Sequence, residues 1–149
     1  MSYEFPAWVN QYVGLPFIER GRDEHGVDCW GLVAIVLRDV FGITVPSYDD
    51  EYKTTTDCES ISNVIEREAS SWWLVSLDEA QAGDVIVMRV LPYGAPKNIY
   101  GTHVGIIVER DWMLHVERDI NVVIERYTRP RWGRRVVGIY RHDSLYGKE

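Results

Sequence analysis

The chain has 149 residues, 46% of them hydrophobic, and 16 basic against 23 acidic side chains leave a net charge of −7. That length suits one domain burying roughly 70% of its unfolded surface, and the acidic balance argues against nonspecific nucleic-acid binding, which needs clustered Lys and Arg. No apolar run approaches a membrane span, and two cysteines, Cys29 and Cys58, form neither a disulfide framework nor a Cys-x-x-Cys pair, which argues against zinc fingers and thioredoxin-type redox sites.

Pro6 is placed to open a short first helix over 7–13, with Trp8, Val9, Tyr12 and Val13 on one side. A polar, glycine-containing loop follows over 19–26. Then comes Asp28-Cys29-Trp30-Gly31-Leu32-Val33, where polar loop meets apolar run. Asp28 is a candidate N-cap, so Cys29 stands at the head of a helix. Val33, Val36, Leu37, Val40 and Phe41 recur at three- and four-residue steps, and Gly42 is a natural stop. The pattern predicts a nearly buried central helix. A thiol at its head meets unpaired backbone N–H groups and the positive end of the helix dipole, which favour the nucleophilic thiolate. The adjacent Asp28 carboxylate opposes this. The competing explanation is a cysteine that simply fills the core.

Residues 42–58 look irregular, with an acidic patch at Asp49, Asp50 and Glu51. A further helix is predicted over 58–70 on Ile61, Val64, Ile65 and Ala69, with Cys58 structural. After Trp72-Trp73 the character turns to strands, predicted over 84–90, 103–109, 113–117, 122–127 and 136–141. Short spacing between them favours an antiparallel meander. Helices first and strands second predict an α+β class, N-terminal helices packed on a C-terminal antiparallel sheet, in one domain over 1–149. Six tryptophans and nine tyrosines fit a thick core or an aromatic-lined groove. Arg126, Arg129, Arg131, Arg134 and Arg135 form one basic cluster, either a solvated loop or a surface for an anionic polymer or partner.

A cysteine nucleophile needs an imidazole within hydrogen-bond reach, and that imidazole needs a polar group to hold it. Of four histidines, His103 starts the apolar run His103-Val104-Gly105-Ile106, and His115 lies in Met113-Leu114-His115-Val116 on the next predicted strand. Neighbouring antiparallel strands place such residues side by side. His25 is positioned to line the cleft mouth, and His142 belongs to the surface. No short-spaced ligand pair supports a metal site, and no cofactor is expected.

Asp28-Cys29-Trp30-Gly31-Leu32-Val33, Ala82-Gly83-Asp84-Val85-Ile86, His103-Val104-Gly105-Ile106 and Leu114-His115 occur in that order. In this the chain resembles the NlpC/p60 superfamily of papain-like cell-wall peptidases, from about Trp8 to about Tyr140. The resemblance implies Cys29 as nucleophile, His103 as base and His115 as the residue that orients it. It also implies hydrolysis of peptidoglycan stem peptides, at the bond between D-Glu and a diamino acid. Asp28, Trp30, Tyr12 and His25 are the expected substrate-binding residues. Two positions depart from the family pattern. Trp30 stands where Ser is common, and Phe17 where a Tyr often serves the oxyanion, leaving the Cys29 backbone N–H with Tyr12 as a side-chain candidate.

The start of the chain lacks a basic region followed by an apolar run, so no secretory signal is expected. The compact form is similar to stand-alone peptidases of phage tails and gene-transfer particles. The expectation is a protein made in the cytoplasm that reaches the cell wall within a particle. Its partners would be the stem peptide and other tail or particle proteins, with no nucleic acid and no membrane insertion. A structural tail component with weak or no hydrolysis, and a thiol hydrolase or acyltransferase acting on another substrate, are the alternatives.

Overall fold

The computed structural model describes residues 5–46, 71–90 and 101–145. The helix expected over 58–70, Cys58 and the acidic patch at 49–51 lie outside these residues. A two-stranded hairpin, β1 (Arg22–Asp23) and β2 (Gly26–Val27), leads straight into a helix, α1 (Cys29–Phe41). Six antiparallel strands follow among the described residues: β3 (Trp72–Val75), β4 (Val85–Val90), β5 (Gly101–Glu109), β6 (Trp112–Glu117), β7 (Ile120–Arg126) and β8 (Val136–His142). Their spatial order is β3-β8-β4-β5-β6-β7. This is the α+β class that the order of helical and strand patterns predicts. No helix among the described residues is long and apolar enough to cross a membrane.

α1 starts and stops where its sequence signals place it. The Asp28 side chain accepts the Gly31 N–H, satisfying one of the orphan donors of the first turn, and the helix ends at Gly42. Leu32, Val33, Ile35, Val36 and Leu37 are all buried, so the helix is covered on most sides. It lies on β5 and β6, where Val104, Ile106, Leu114 and Val116 complete the same core. Each such aliphatic side chain contributes roughly 1.5–3 kcal/mol on burial. Alternate residues of β5 and β6, joined by Ile86 and Met88 of β4, supply a second cluster: Ile107 and Met113 with these two around Tyr127 and Trp132.

Two elements differ from expectation. The first helix is a single 3-10 turn, Ala7–Gln11, cut short before Gly14 and Pro16. The strands β4 to β7 form the predicted meander, but β8 does not continue it. Gly14 donates to the Val122 carbonyl and Val122 donates to Leu15, so the N-terminal segment occupies the outer edge of β7. The chain instead passes through a helical turn, Pro130–Gly133, and inserts β8 between β4 and β3.

Candidate active site

Cys29 is the first residue of α1 and only 4% exposed. The loop before it is tied down by Asp28, whose carboxylate takes the Arg22 guanidinium at 2.8 Å, the Arg20 N–H at 2.9 Å and the Gly31 N–H at 2.8 Å. Gly31 is required here by close approach: a Cβ at this position would lie 2.0 Å from the Gly21 carbonyl oxygen. The loop therefore rests directly on the first helical turn and fixes the direction of the thiol.

The thiol is not held as a thiolate at rest, contrary to the expectation from the helix N-terminus. Burial first, and the Asp28 charge second, push Cys29 up to about 12. The backbone N–H groups of Val104 and Trp30 and the Arg22 charge act in the opposite sense without prevailing. Val104 is the residue after His103. The β5–β6 ladder ends at the Ile106–Leu114 pair, so beyond that point the Val104 N–H can serve the sulfur instead of β6. The head of α1 thus meets β5 at the His103–Val104 segment.

The two histidines come together. His103 Nε2 lies 3.0 Å from His115 Nδ1, and both residues are buried. Gly105 makes the approach possible, since a Cβ there would lie 3.1 Å from the Leu114 oxygen and 3.2 Å from the His115 Cβ. Two groups the sequence reading missed complete the cluster. His115 Nε2 bonds Glu125 Oε1 on β7 at 2.8 Å. The indole of Trp132 stacks on His103 at 5.5 Å and meets His115 edge-on at 5.2 Å. Glu125 had a signal: Val123 is the direct cross-strand partner of His115, and a diagonal neighbour two residues on is within reach of a long side chain. Trp132, fully buried, had only the oddity of a tryptophan inside an arginine-rich segment read as a solvated loop or as a surface for an anionic partner.

The expected substrate-binding residues are placed differently. Asp28 is fully buried and engaged as a cap and ion-pair partner. Trp30 is 6% exposed, and its indole N–H donates to the Pro46 carbonyl at 2.9 Å, so it anchors the chain beyond α1. The Tyr12 hydroxyl donates to Asp39 at 3.3 Å, ten residues down the helix from Cys29 and so about 15 Å along its axis. Desolvation first, then Asp39, push that phenol up to about 12. It offers nothing to an oxyanion at Cys29. His25 sits on the exposed β1–β2 turn, its N–H bonding Asp23 at 2.9 Å. Phe17 pairs with Val27 through an isolated bridge and lies under the Arg118 guanidinium, which also pairs with Glu19.

The bond between the two imidazoles occupies one ring nitrogen of each, His103 Nε2 and His115 Nδ1. Asp23, Glu24 and His25 bring one ligand atom each within 4.8 Å, all solvent-exposed.

A helix with cysteine at its head, laid on an antiparallel sheet that carries paired histidines, is the papain-like α+β arrangement. The chain belongs to the NlpC/P60 family, which it matches over residues 14–141. A Haemophilus influenzae protein described as "Probable endopeptidase" is 26% identical over 125 residues, covering 84% of this chain and 65% of that protein. The chain therefore spans less than two thirds of that relative. Similar solved structures include an NlpC/P60 protein from Bacillus cereus, with TM-score 0.61 at 21% identity over 93% of this chain and 41% of that one. The NlpC/p60 domain of the peptidoglycan hydrolase SagA gives 0.57 at 23% identity over 89% and 92%.

Proposed function

We propose that this chain is a cysteine endopeptidase that hydrolyses peptidoglycan stem peptides. Cys29 is the nucleophile, His103 the base and His115 the residue that orients it. The observation that carries this reading is the position of the bonded His103–His115 pair, on the strand whose Val104 N–H serves the Cys29 sulfur. The names of the relatives, an endopeptidase and a peptidoglycan hydrolase, support the substrate class.

The neutral resting thiol sets the order of events. With Nε2 given to His115, His103 works on the thiol through Nδ1. Proton removal accompanies attack on the carbonyl, because a free thiolate is disfavoured in this buried site. The oxyanion forms near the Cys29 backbone N–H. The imidazolium then protonates the leaving amine, and water releases the acyl group from sulfur. The bond cleaved is that between D-Glu and the diamino acid, and the setting is a phage tail or phage-like particle. Both rest on the family resemblance.

The test is digestion of purified peptidoglycan and of a synthetic stem tetrapeptide, followed by mass spectrometry. The wild type should release a fragment with a new amino-terminal diamino acid, and Cys29→Ala should lower the rate by a factor on the order of 10⁴ or more. Equal release by both would remove Cys29 from the mechanism. A second reading, a structural particle component, is favoured by Phe17 and by the diversion of Tyr12 to Asp39. It predicts no product from either protein.

A further inference from the structure

We propose that Glu125 is a positioning residue that sets the proton pattern of the imidazole chain, so that His103 presents Nδ1 without a proton. The role in catalysis rests on the functional reading above; the proton pattern does not.

The pattern follows from what each group can donate. An ionised carboxylate only accepts hydrogen bonds. At 2.8 Å from Glu125 Oε1, His115 Nε2 must therefore be the N–H side of that ring. In a neutral imidazole the other nitrogen is then an acceptor. His115 Nδ1 accordingly accepts, and its partner at 3.0 Å, His103 Nε2, must donate. The proton of neutral His103 is thus on Nε2, and its lone pair is on Nδ1. One acceptor on β7 fixes the tautomer of a ring two hydrogen bonds away.

The ring contacts of the cluster do not set this direction. Trp132 stacks on one ring and meets the other edge-on, which fixes the ring planes but favours neither nitrogen. Without the carboxylate the chain can run backwards. His115 would carry its proton on Nδ1 and donate to His103 Nε2, and His103 would hold its proton on Nδ1, where the base is needed. With Glu125 in place the proton balance closes. His103 Nδ1 takes the thiol proton, the imidazolium charge is stabilised through His115 by Glu125, and the same proton leaves on the departing amine.

Glu125→Gln keeps the size and removes the charge. Its amide can either accept from or donate to His115, so the direction is lost. In nitrogen-15 NMR of the imidazoles, in a Cys29→Ala background at neutral pH, His103 Nδ1 and His115 Nδ1 should appear unprotonated and both Nε2 protonated. E125Q should give a mixed pattern, and Glu125→Asp should restore the original. With Cys29 intact, E125Q should lower kcat roughly 100-fold with KM within about twofold. That is less than the ~10⁴-fold of the corresponding amide substitution in a Ser-His-Asp triad, where the acid touches the base directly. A pattern unchanged in E125Q, or a kcat equal to that of the wild type, overturns the proposal. The NMR measurement uses no substrate. A wild type that cleaves no stem peptide would sink the functional reading alone, while the tautomers would still be decided.

Discussion

Two aspartates in this molecule are buried and clamped in nearly the same way, and only one of them adjoins the thiol. Asp28 holds Arg22 at 2.8 Å and two backbone N–H groups, those of Arg20 and Gly31. Asp84 holds Arg141 at 2.7 and 2.9 Å and the Gln81 N–H at 2.9 Å. Both carboxylates are fully buried, and their arginines are 15% and 14% exposed. Asp84 ties the start of β4 to β8, on the opposite side of the sheet order from β6 and β7. The same construction in two places shows that a buried, arginine-paired aspartate is an architectural device here. Asp28 is next to the thiol because it caps the helix that carries the thiol.

The sharpest way to break this comparison is to remove each carboxylate. Asp28→Ala and Asp84→Ala both take the carboxylate from a mostly buried guanidinium, leaving Arg22 its bond to the Gly21 carbonyl and Arg141 its bond to that of Glu79, and each should cost about 3 kcal/mol in denaturant unfolding. Their effects on peptidase turnover should part. Asp84→Ala should retain the wild-type kcat below its melting temperature. Asp28→Ala should lose turnover as well, because the loop that aims Cys29 loses its anchor. Equal kcat losses in the two would mean that Asp84 also shapes the site.

A smaller effect separates the two clamps through the thiol. The cysteine of an unfolded chain titrates near 9, and in the folded state Cys29 is pushed up to about 12. Below pH 9 both states hold the proton, and the contribution to stability is complete. Above it the unfolded state loses the proton first. Stability therefore falls between about pH 9 and about pH 12, by about 1.4 kcal/mol per pH unit, or roughly 3 kcal/mol by pH 11. Urea unfolding of the wild type against Cys29→Ala across this range isolates that slope. Asp28→Asn should end the fall at a lower pH and so reduce its total, since the Asp28 charge is the second cause of the shift, and Asp84→Asn should leave the range unchanged. A pH range unaffected by Asp28→Asn would assign the whole shift to burial.

What was legible in the sequence was local. The cap at Asp28, the spacing of Val33, Val36 and Leu37, and the alternation of β4 to β7 act over a few residues and survived folding unchanged. His103 and His115 were found for the same reason, as chemistry-bearing residues on consecutive strands. Glu125 depends on the register set by the Arg118-Asp119 turn, where Asp119 takes φ 71° and the ladder slips between His115 and Glu117. Trp132 depends on β8 inserting between β4 and β3 while the N-terminal segment takes the β7 edge. Tyr12 was misplaced because its partner, Asp39, is 27 positions away. Each miss is a contact that exists only once distant segments have assembled.

The smallest effect concerns how closely the Asp28 clamp draws its loop onto the helix. At Gly31 a methyl group would meet the Gly21 oxygen at 2.0 Å, Arg22 Nη1 at 2.9 Å and Asp28 Oδ1 at 3.1 Å. Two of these atoms form the clamp itself, and the third is backbone, so no flexible side-chain end can absorb the whole intrusion. A helix interior otherwise favours Ala over Gly by about 1 kcal/mol. Overpacking typically costs about 1–3 kcal/mol, so Gly31→Ala should come out net destabilising by up to about 2 kcal/mol. The loop must shift, and with it the residue preceding Cys29, so kcat should fall more than the stability loss alone predicts. The glycine beside Asp84 does not touch its clamp: Gly83 precedes the aspartate with φ 94°, a Cβ there would meet Leu145 and Phe41, and Val85 and Ile86 follow directly into β4. A Gly31→Ala protein as stable and as active as the wild type would show that the loop does not aim the thiol.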